Sequence, residues 1–327
     1  MPEPIAAIPN SEPQTSLIPI SAIICTHNRS AYLGAAIDSL LTQEFDGEYE
    51  VIVVDNASTD QTPNVIAARL NHPRFRSVYE PVTGLSVARN TGANLARGEV
   101  LAYLDDDAVA SPQWLAALYR AYQANTKLAI AGGKVTLLWS EGCSPPPWLS
   151  DRLAGNLGSY DLGESEQLID RPSLTPRGLN YSIRRGFWQQ IGGFDIHLGR
   201  VGSNLLSNEE LHMTELALDR GWQVAYLPEA LVAHNVAPER LNQAWFLNRG
   251  WWQGISECYR ERLAGRSGIG QVGRGSERLL RGIYQMLKHG SDPAARFDHL
   301  TYAYGQVGYL KAVLQSLLPG HPSNSSL

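Results

Sequence analysis

Short apolar runs alternate with segments of helical periodicity along the first 135 residues of this 327-residue chain. The strand-like runs, which have the length and β-branched character of buried strands, are 18–25, 49–54, 76–79 and 100–104. The helix-like segments lie at 31–43, 62–70, 86–96 and 111–124. This alternation predicts an α/β domain with a mostly parallel sheet flanked by helices.

The second part of the chain has a different pattern. Residues 145–175 are rich in Pro, Gly and Ser, which predicts loops, and regular structure is expected again at 184–191. A helix at 209–220 and a strand at 223–227 follow. The region 242–318 is helical in pattern and rich in Trp and Phe, which predicts a helical extension.

Composition excludes several classes of protein. The net charge of −5, with interspersed signs, argues against a nucleic-acid-binding protein. The three cysteines are far apart and odd in number, which fits a reducing compartment and predicts a cytoplasmic location. No apolar stretch is long enough to span a bilayer, although peripheral contact with the inner face of a membrane stays open.

Three consecutive carboxylates, Asp105, Asp106 and Asp107, follow the strand-like run that ends at Leu104. The carboxyl ends of strands in open α/β sheets are where ligands bind. Neighbouring carboxylates repel each other unless a cation neutralises them, and an all-oxygen cluster suits Mg²⁺ or Mn²⁺. The alternative is a solvated acidic turn without a metal.

Two other strand-like runs also end in polar residues. Thr26, His27 and Arg29 follow the first run, and Asp55 ends the second. Because parallel strands end at one edge of a sheet, these side chains are expected near Asp105. A carboxylate at position 55 could accept hydrogen bonds from a base or a ribose.

Four further polar residues have two interpretations each. Arg89 could pair with a diphosphate, or it could be a surface residue of a helix. Glu209 and Glu210 open a helix, where they could complement its dipole or provide a general base. His234 follows an apolar run, where it could be a satisfied core residue or complete a divalent-metal site.

One glycine motif is rejected as a nucleotide site. Residues 268–273 fit G-x-G-x-x-G, but no strand precedes them and no βαβ pattern follows. A flexible loop is predicted there instead. The chain also lacks a Walker A loop, G-x-S-x-G and H-E-x-x-H, which argues against NTPases, hydrolases of that type and zincins.

Taken in order, the motifs resemble those of the family 2 glycosyltransferases of the GT-A fold, from about residue 18 to residue 236. The matching segments are Cys25-Thr26-His27-Asn28-Arg29, residues 54–60, Ala88-Arg89-Asn90-Thr91-Gly92, Leu104-Asp105-Asp106-Asp107, Gly192-Gly193-Phe194-Asp195, Glu209-Glu210, Gly221-Trp222, residues 226–230 and His234. A weaker likeness, at Trp251-Trp252-Gln253-Gly254, is to bacterial members that build surface or exported polysaccharides.

The resemblance implies a role for each matching residue. Thr26 and Asp55 would contact the nucleoside, with His27 in place of the family's usual tyrosine, and Asp105 with Asp107 would bind the metal–diphosphate. Asp106 and Arg29 belong to the same predicted donor site. His234 would be a metal ligand, and Glu210 the catalytic base, supported by Glu209. The alignment of this segment with the family's motif favours Glu210 as the base, although the family usually has Asp at this second position.

The expected activity is metal-dependent, inverting transfer of a sugar from a nucleotide-sugar donor, most simply a UDP-sugar with Mn²⁺ or Mg²⁺, to a saccharide or lipid-linked acceptor. A sugar nucleotidyltransferase and a non-catalytic nucleotide-sugar-binding protein are the alternatives. The predicted division is a disordered leader (1–17), a catalytic domain (18–240, with a nucleotide-binding half 18–135 and an acceptor half 136–240), a helical extension (241–318) and a flexible tail (319–327).

Overall fold

The structure is a computed structural model that describes residues 17–140, 142–202 and 204–317. The predicted tail and all but the last residue of the predicted leader lie outside these ranges. The predicted boundaries at 135 and 240 stay predictions.

The strands and helices follow the predicted order. In chain order, strands β1 to β9 are Ile18–Thr26, Tyr49–Asp55, Phe75–Tyr79, Gly98–Leu104, Ala108–Ala110, Leu128–Trp139, Gln167–Leu168, Asn180–Arg184 and Gln223–Val236. Helices α1 to α10 are Ser30–Leu41, Thr62–Ala67, Leu85–Leu95, Trp114–Ala124, Asp151–Ala154, Arg185–Ile191, Glu209–Asp219, Gln243–Leu263, Ile269–Lys288 and Pro293–Leu317.

The strands form one sheet of order β3-β2-β1-β4-β8-β6-β9-β5, with β7 paired to β9. Strands β1 to β4 are parallel, and so are β6 and β9, whereas β8 runs antiparallel between β4 and β6. The predicted α/β fold with a largely parallel sheet is therefore confirmed. Thr26 pairs with Asp55 in register, and β4 ends beside them, so their polar residues meet at one edge of the sheet.

Burial explains why the first strands were easy to identify. All seven residues of β2 are buried, which gives a continuous apolar run, and helices α1, α3 and α4 cover the sheet with their apolar faces. Four strands escaped sequence analysis: the short strands β5 and β7, β6, which passes through Gly132 and Gly133, and β8, which carries the buried polar residues Asn180 and Ser182.

The C-terminal helices α8, α9 and α10 pack on one another, and two of them reach the sheet. Phe246 of α8 and Phe297 of α10 join Val236 of β9 and Leu153 in a separate apolar cluster. Helices α8 and α10 approach closely at Gly254, where a Cβ atom would lie 1.8 Å from the carbonyl oxygen of Gly305. In the described part of the chain, no helix has the length and apolarity needed to cross a bilayer.

Two local expectations need correction. Residues 269–273 form the first turns of α9 rather than a flexible loop. The last predicted strand, 223–227, extends to Val236, so His234 lies within β9 and pairs with Ala108 of β5 instead of following the strand.

Candidate active site

A cavity of about 770 Å³ opens at the carboxyl ends of β1 and β4. Its lining includes every predicted site residue except Asp55: Thr26, His27, Arg29, Arg89, Asp105, Asp106, Asp107, Glu209, Glu210 and His234. The sheet brings the first half of this set together, while α7 and β9 contribute the glutamates and the histidine. Residues more than 200 positions apart in the chain therefore line the same cavity.

The predicted nucleoside end of the cavity lies at β1 and β2. Thr26 is buried, and its hydroxyl has no hydrogen-bond partner among the described residues. His27 is exposed, and its Nδ1 lies 2.7 Å from the carbonyl oxygen of Asn56. The carboxylate of Asp55 accepts a hydrogen bond from the Ser58 amide, so it also shapes the turn after β2. Asn56, rather than Asp55, lines the cavity.

The three aspartates after β4 have different electrostatic environments. Burial, together with the charge of Asp107, raises the pKa of Asp105 above its ordinary value. The same two causes raise the pKa of Asp106 to about 8. Burial alone would also raise the pKa of Asp107, but the hydrogen bond with His234 and the charges of Arg240 and Arg29 hold that pKa well below its usual range. Asp106 and Asp107 are 9% and 4% exposed, so this cluster is not a solvated turn.

Asp107 is the centre of a network of positive groups. Its Oδ1 lies 2.9 Å from Nε2 of His234, and its Oδ2 lies 3.4 Å from Arg240 and 3.9 Å from Arg29. His234 is 4% exposed, and its Nδ1 is buried without a partner. This histidine is therefore not a fully satisfied core residue.

The side chains fit a divalent cation in type. Among the described residues, no donor bonds the carboxylate of Asp105, although the side chain faces the cavity. Carboxylate oxygens with an imidazole suit Mn²⁺. However, no three acidic, histidine or cysteine side chains in the described ranges are grouped closely enough to hold a metal by themselves. The predicted ligand set therefore needs oxygen atoms from a bound diphosphate and a release of His234 from Asp107.

Arg89 pairs with both glutamates at the start of α7. Its Nη1 lies 3.0 Å from Oε1 of Glu209 and 2.9 Å from Oε1 of Glu210. The side chain is 3% exposed, so the interpretation as a surface arginine is wrong. These contacts commit the guanidinium group to the glutamates, and they give no support to a diphosphate role.

The two glutamates differ in exposure. The side chain of Glu209 is 4% exposed, whereas that of Glu210 is 15% exposed. Burial and the neighbouring Glu210 raise the pKa of Glu209 to about 7, against the opposing charge of Arg89. Glu210 is the more accessible carboxylate.

Gly178 allows this arrangement. A Cβ atom at this position would lie 1.7 Å from Oε1 of Glu210 and 2.4 Å from Nη2 of Arg89. Any larger residue would displace the carboxylate or the guanidinium group. The loop before β8 is thus part of the wall against which Glu210 is held.

Several arginines of the cavity were missed by sequence analysis. Arg177, Arg200, Arg240 and Arg249 all line it, but each lies in a separate loop or helix without a motif around it. Arginines are common on protein surfaces, and nothing in the local pattern distinguishes these four. Only the folded chain brings them together.

Sequence comparisons point to one family. The family model described as "Glycosyl transferase family 2" matches residues 21–141. The chain is 27% identical over 248 residues to the glucosyl-dolichyl phosphate glucuronosyltransferase of Haloferax volcanii, which covers 73% of this chain and 76% of that protein. It is 29% identical over 210 residues to the validoxylamine A glucosyltransferase of Streptomyces hygroscopicus subsp. limoneus, covering 55% and 45% of the two chains.

Structural comparisons find the same fold in solved glycosyltransferases. The mannosyltransferase PcManGT from Pyrobaculum calidifontis, solved with GDP-Man and Mn²⁺, has a TM-score of 0.62 at 18% identity, covering 94% of this chain and 89% of that one. GalNAc-T7, solved with UDP, GalNAc and Mn²⁺, has a TM-score of 0.53 at 17% identity, covering 93% and 58%. At these identities the likeness establishes the GT-A fold.

Proposed function

This chain carries a glycosyltransferase family 2 domain and has the GT-A fold, and from that premise we propose that it is a metal-dependent, inverting enzyme. It transfers a sugar from a nucleotide-sugar donor to a hydroxyl group of a saccharide or lipid-linked acceptor. The observation that carries this proposal is the single cavity shared by the Asp105–Asp107 cluster and the accessible carboxylate of Glu210.

Glu210 is the proposed catalytic base. Its carboxylate takes the proton from the acceptor hydroxyl, whose oxygen then attacks the anomeric carbon from the face opposite the leaving nucleotide. Arg89 fixes the orientation of Glu210 through the 2.9 Å contact. Glu209 is more deeply buried and pairs with the same arginine, so it helps to hold this geometry.

Asp105, Asp107 and His234 are the proposed ligands of Mn²⁺ or Mg²⁺. The cation would neutralise the charge that develops on the leaving diphosphate. Thr26, His27, Arg29, Asp55 and Asp106 are the proposed donor-site residues. Asp107 and His234, which bond each other at 2.9 Å, would both have to turn toward the cation to hold it.

A UDP-sugar is the donor that we propose, and polysaccharide or glycolipid synthesis is the proposed setting. Solved structures of this fold contain either GDP-Man or UDP, so binding measurements must show which nucleotide the donor of this protein carries. The name of the Haloferax relative includes a dolichyl phosphate acceptor, which supports a lipid-linked substrate.

Peripheral contact with a membrane fits such a substrate. Leu280, Ile283, Tyr284 and Leu287 form an exposed apolar stripe on α9, at positions that share one helix face. The same helix carries four basic residues, Arg274, Arg278, Arg281 and Lys288, and one acidic residue, Glu277. This combination suits the surface of a bilayer with anionic headgroups.

Incubation with a panel of UDP-, GDP- and dTDP-sugars and Mn²⁺ tests the proposal. We expect one donor to raise the melting temperature only when Mn²⁺ is present, and to be consumed when an acceptor is added. Proton NMR of the product should show the opposite anomeric configuration to the donor. A product with the same anomeric configuration as the donor would contradict the inverting mechanism. Equal turnover in the presence of EDTA would contradict the dependence on a metal. Release of pyrophosphate would indicate a nucleotidyltransferase instead.

A further inference from the structure

Three arginines that line the cavity have no acidic partner. Arg177, Arg200 and Arg249 line the cavity, and none of them takes part in an ion pair with a described residue. The other arginines of this wall are neutralised: Arg89 by two glutamates, Arg152 by Asp298. Unpaired guanidinium groups in one cavity repel each other and lose hydration, which an anionic ligand would offset.

Arg249 is the clearest member of this group. It extends from α8 to the loop before α7, where its Nη1 donates to the carbonyl oxygen of Leu205 and to the hydroxyl of Ser207. Its Nε is buried and has no hydrogen-bond partner among the described residues. Burial and the charge of Arg200 lower its pKa to about 10. The fold therefore holds the guanidinium group in place through Nη1 and leaves its buried Nε without an acceptor.

Arg177 has the same property. Its Nε is also buried without a partner, and its guanidinium group lies 5.4 Å from the ring centroid of Tyr160. It precedes Gly178, whose backbone touches Glu210 and Arg89. Arg177 and Arg249 thus both lie next to the carboxylate that would deprotonate the acceptor.

Arg177 and Arg249 differ from Arg200 in their position relative to the proposed donor site. Asp106 and Asp107 already pair with Arg29, and Asp107 also with Arg240, whereas the charge of Arg200 acts on Asp105. Arg249 is influenced by the charges of Glu209 and Glu210, not by those of the aspartates. A ligand that contacts Arg177 and Arg249 therefore enters from the side of the base, where the acceptor must bind.

We propose that Arg177 and Arg249 form an acceptor subsite for a phosphate group, so that the preferred acceptor carries a phosphate or diphosphate near the hydroxyl group that is glycosylated. The inference rests on the proposed function and names its substrate class. Guanidinium forks match phosphate oxygens, and these two come from separate segments of the chain.

Binding and transfer are measured separately with a matched pair of probes, an octyl phosphate glycoside and the neutral octyl glycoside of the same sugar. Titration calorimetry in the presence of Mn²⁺ and UDP should show that the wild type binds the phosphate probe at least tenfold more tightly. Arg249→Gln and Arg177→Gln should each weaken that binding by about tenfold to a hundredfold, since each removes a charge-assisted hydrogen bond. Arg249→Lys should restore part of it.

Arg171→Gln removes an exposed arginine outside the cavity and is the matched control, which should bind both probes as the wild type does. Equal affinity of the wild type for the two probes would overturn the proposal. A loss of Mn²⁺–UDP affinity in the Gln variants, with the preference between probes retained, would assign the arginines to the donor and also overturn it. Transfer of the sugar to the neutral probe tests the proposed glycosyltransferase activity independently of the phosphate subsite.

Discussion

Nη1 of Arg89 lies 2.9 Å from Oε1 of Glu210, and this contact fixes the carboxylate that we propose as the base. The same nitrogen bonds Glu209, so one buried guanidinium group orients two glutamates from the neighbouring helix. The charges of Glu210 and Glu209 outweigh burial and raise the pKa of Arg89, so the arginine stays charged at any physiological pH. The geometry of the base therefore depends on a buried ion cluster.

We predict that Glu210→Gln lowers the transfer rate by on the order of 10² to 10⁴, because the amide keeps the shape of the side chain but cannot accept the proton. Donor affinity, measured by calorimetry with Mn²⁺, should stay within a few-fold of the wild type. Glu209→Gln is the comparison, and it should retain more activity. Near wild-type turnover in Glu210→Gln, together with an inactive Glu209→Gln, would assign the base to Glu209.

Gly178→Ala should lower turnover strongly, because its Cβ would lie 1.7 Å from Oε1 of Glu210 and force the carboxylate out of place. Steady-state kinetics should show a loss in kcat with donor KM little changed. Gly186→Ala is the control, since a Cβ there meets no atom within 4 Å. Wild-type kcat in Gly178→Ala would mean that the position of Glu210 is not critical.

Asp105→Asn and Asp107→Asn should both weaken Mn²⁺-dependent donor binding, but only the second should lower stability. Asp105 has no hydrogen-bond partner among the described side chains, whereas Asp107 bonds His234 and pairs with Arg240 and Arg29. Removing one partner of a buried ion pair costs about 3 to 5 kcal/mol. Calorimetry and urea unfolding measure the two effects. Unchanged Mn²⁺–nucleotide affinity in both variants would refute the proposed metal site.

Glu209 should make the free energy of unfolding depend on pH. Its pKa rises from 4.5 to about 7 on folding, so the folded state binds this proton more tightly than the unfolded state. The associated stability is complete below pH 4.5 and is lost as the pH rises to about 7, by on the order of 3 kcal/mol. Urea unfolding between pH 4.5 and 8 should show a smaller decline in Glu209→Gln. Parallel curves for the two proteins would contradict the assignment.

The apolar stripe of α9 should bind anionic vesicles. Leu280 and Leu287 are 68% and 70% exposed, and replacing both with Ser removes apolar area from the stripe without opening the core. Co-sedimentation at low salt should fall by tenfold or more in the double variant. Leu70→Ser, at an exposed leucine elsewhere, should leave it unchanged. Absence of wild-type binding would remove the membrane part of the proposal.

Residues 302–318 have the pattern of an amphipathic helix, which fits either packing in the core or contact with a membrane. Val313 packs into the helical core with Cys258 and Tyr309, whereas Val307, Leu314 and Leu317 are exposed on α10. Leu318 lies outside the described residues. Helical periodicity identified an amphipathic helix, but periodicity alone does not say which of several apolar residues face a neighbouring helix.

The sequence by itself determined the α/β fold and the edge of the sheet where the polar residues meet. Buried parallel strands give apolar runs that end abruptly, and the residues after those runs must lie at one edge, so Thr26, Asp55 and Asp105 were found without a structure. Their motifs resemble those of the family 2 glycosyltransferases, whose family model matches residues 21–141. Strand β8 escaped because the buried Asn180 and Ser182 interrupt the apolar pattern.

Only the tertiary structure decided how the charges are paired. Contacts between residues far apart in the chain pair Arg89 with Glu209 and Glu210, and Asp107 with His234. They also leave the buried Nε atoms of Arg177 and Arg249 without hydrogen-bond partners. The charge of a side chain is a property of the residue, but its pKa and its partner are set by burial and by neighbours that the fold brings within a few ångströms.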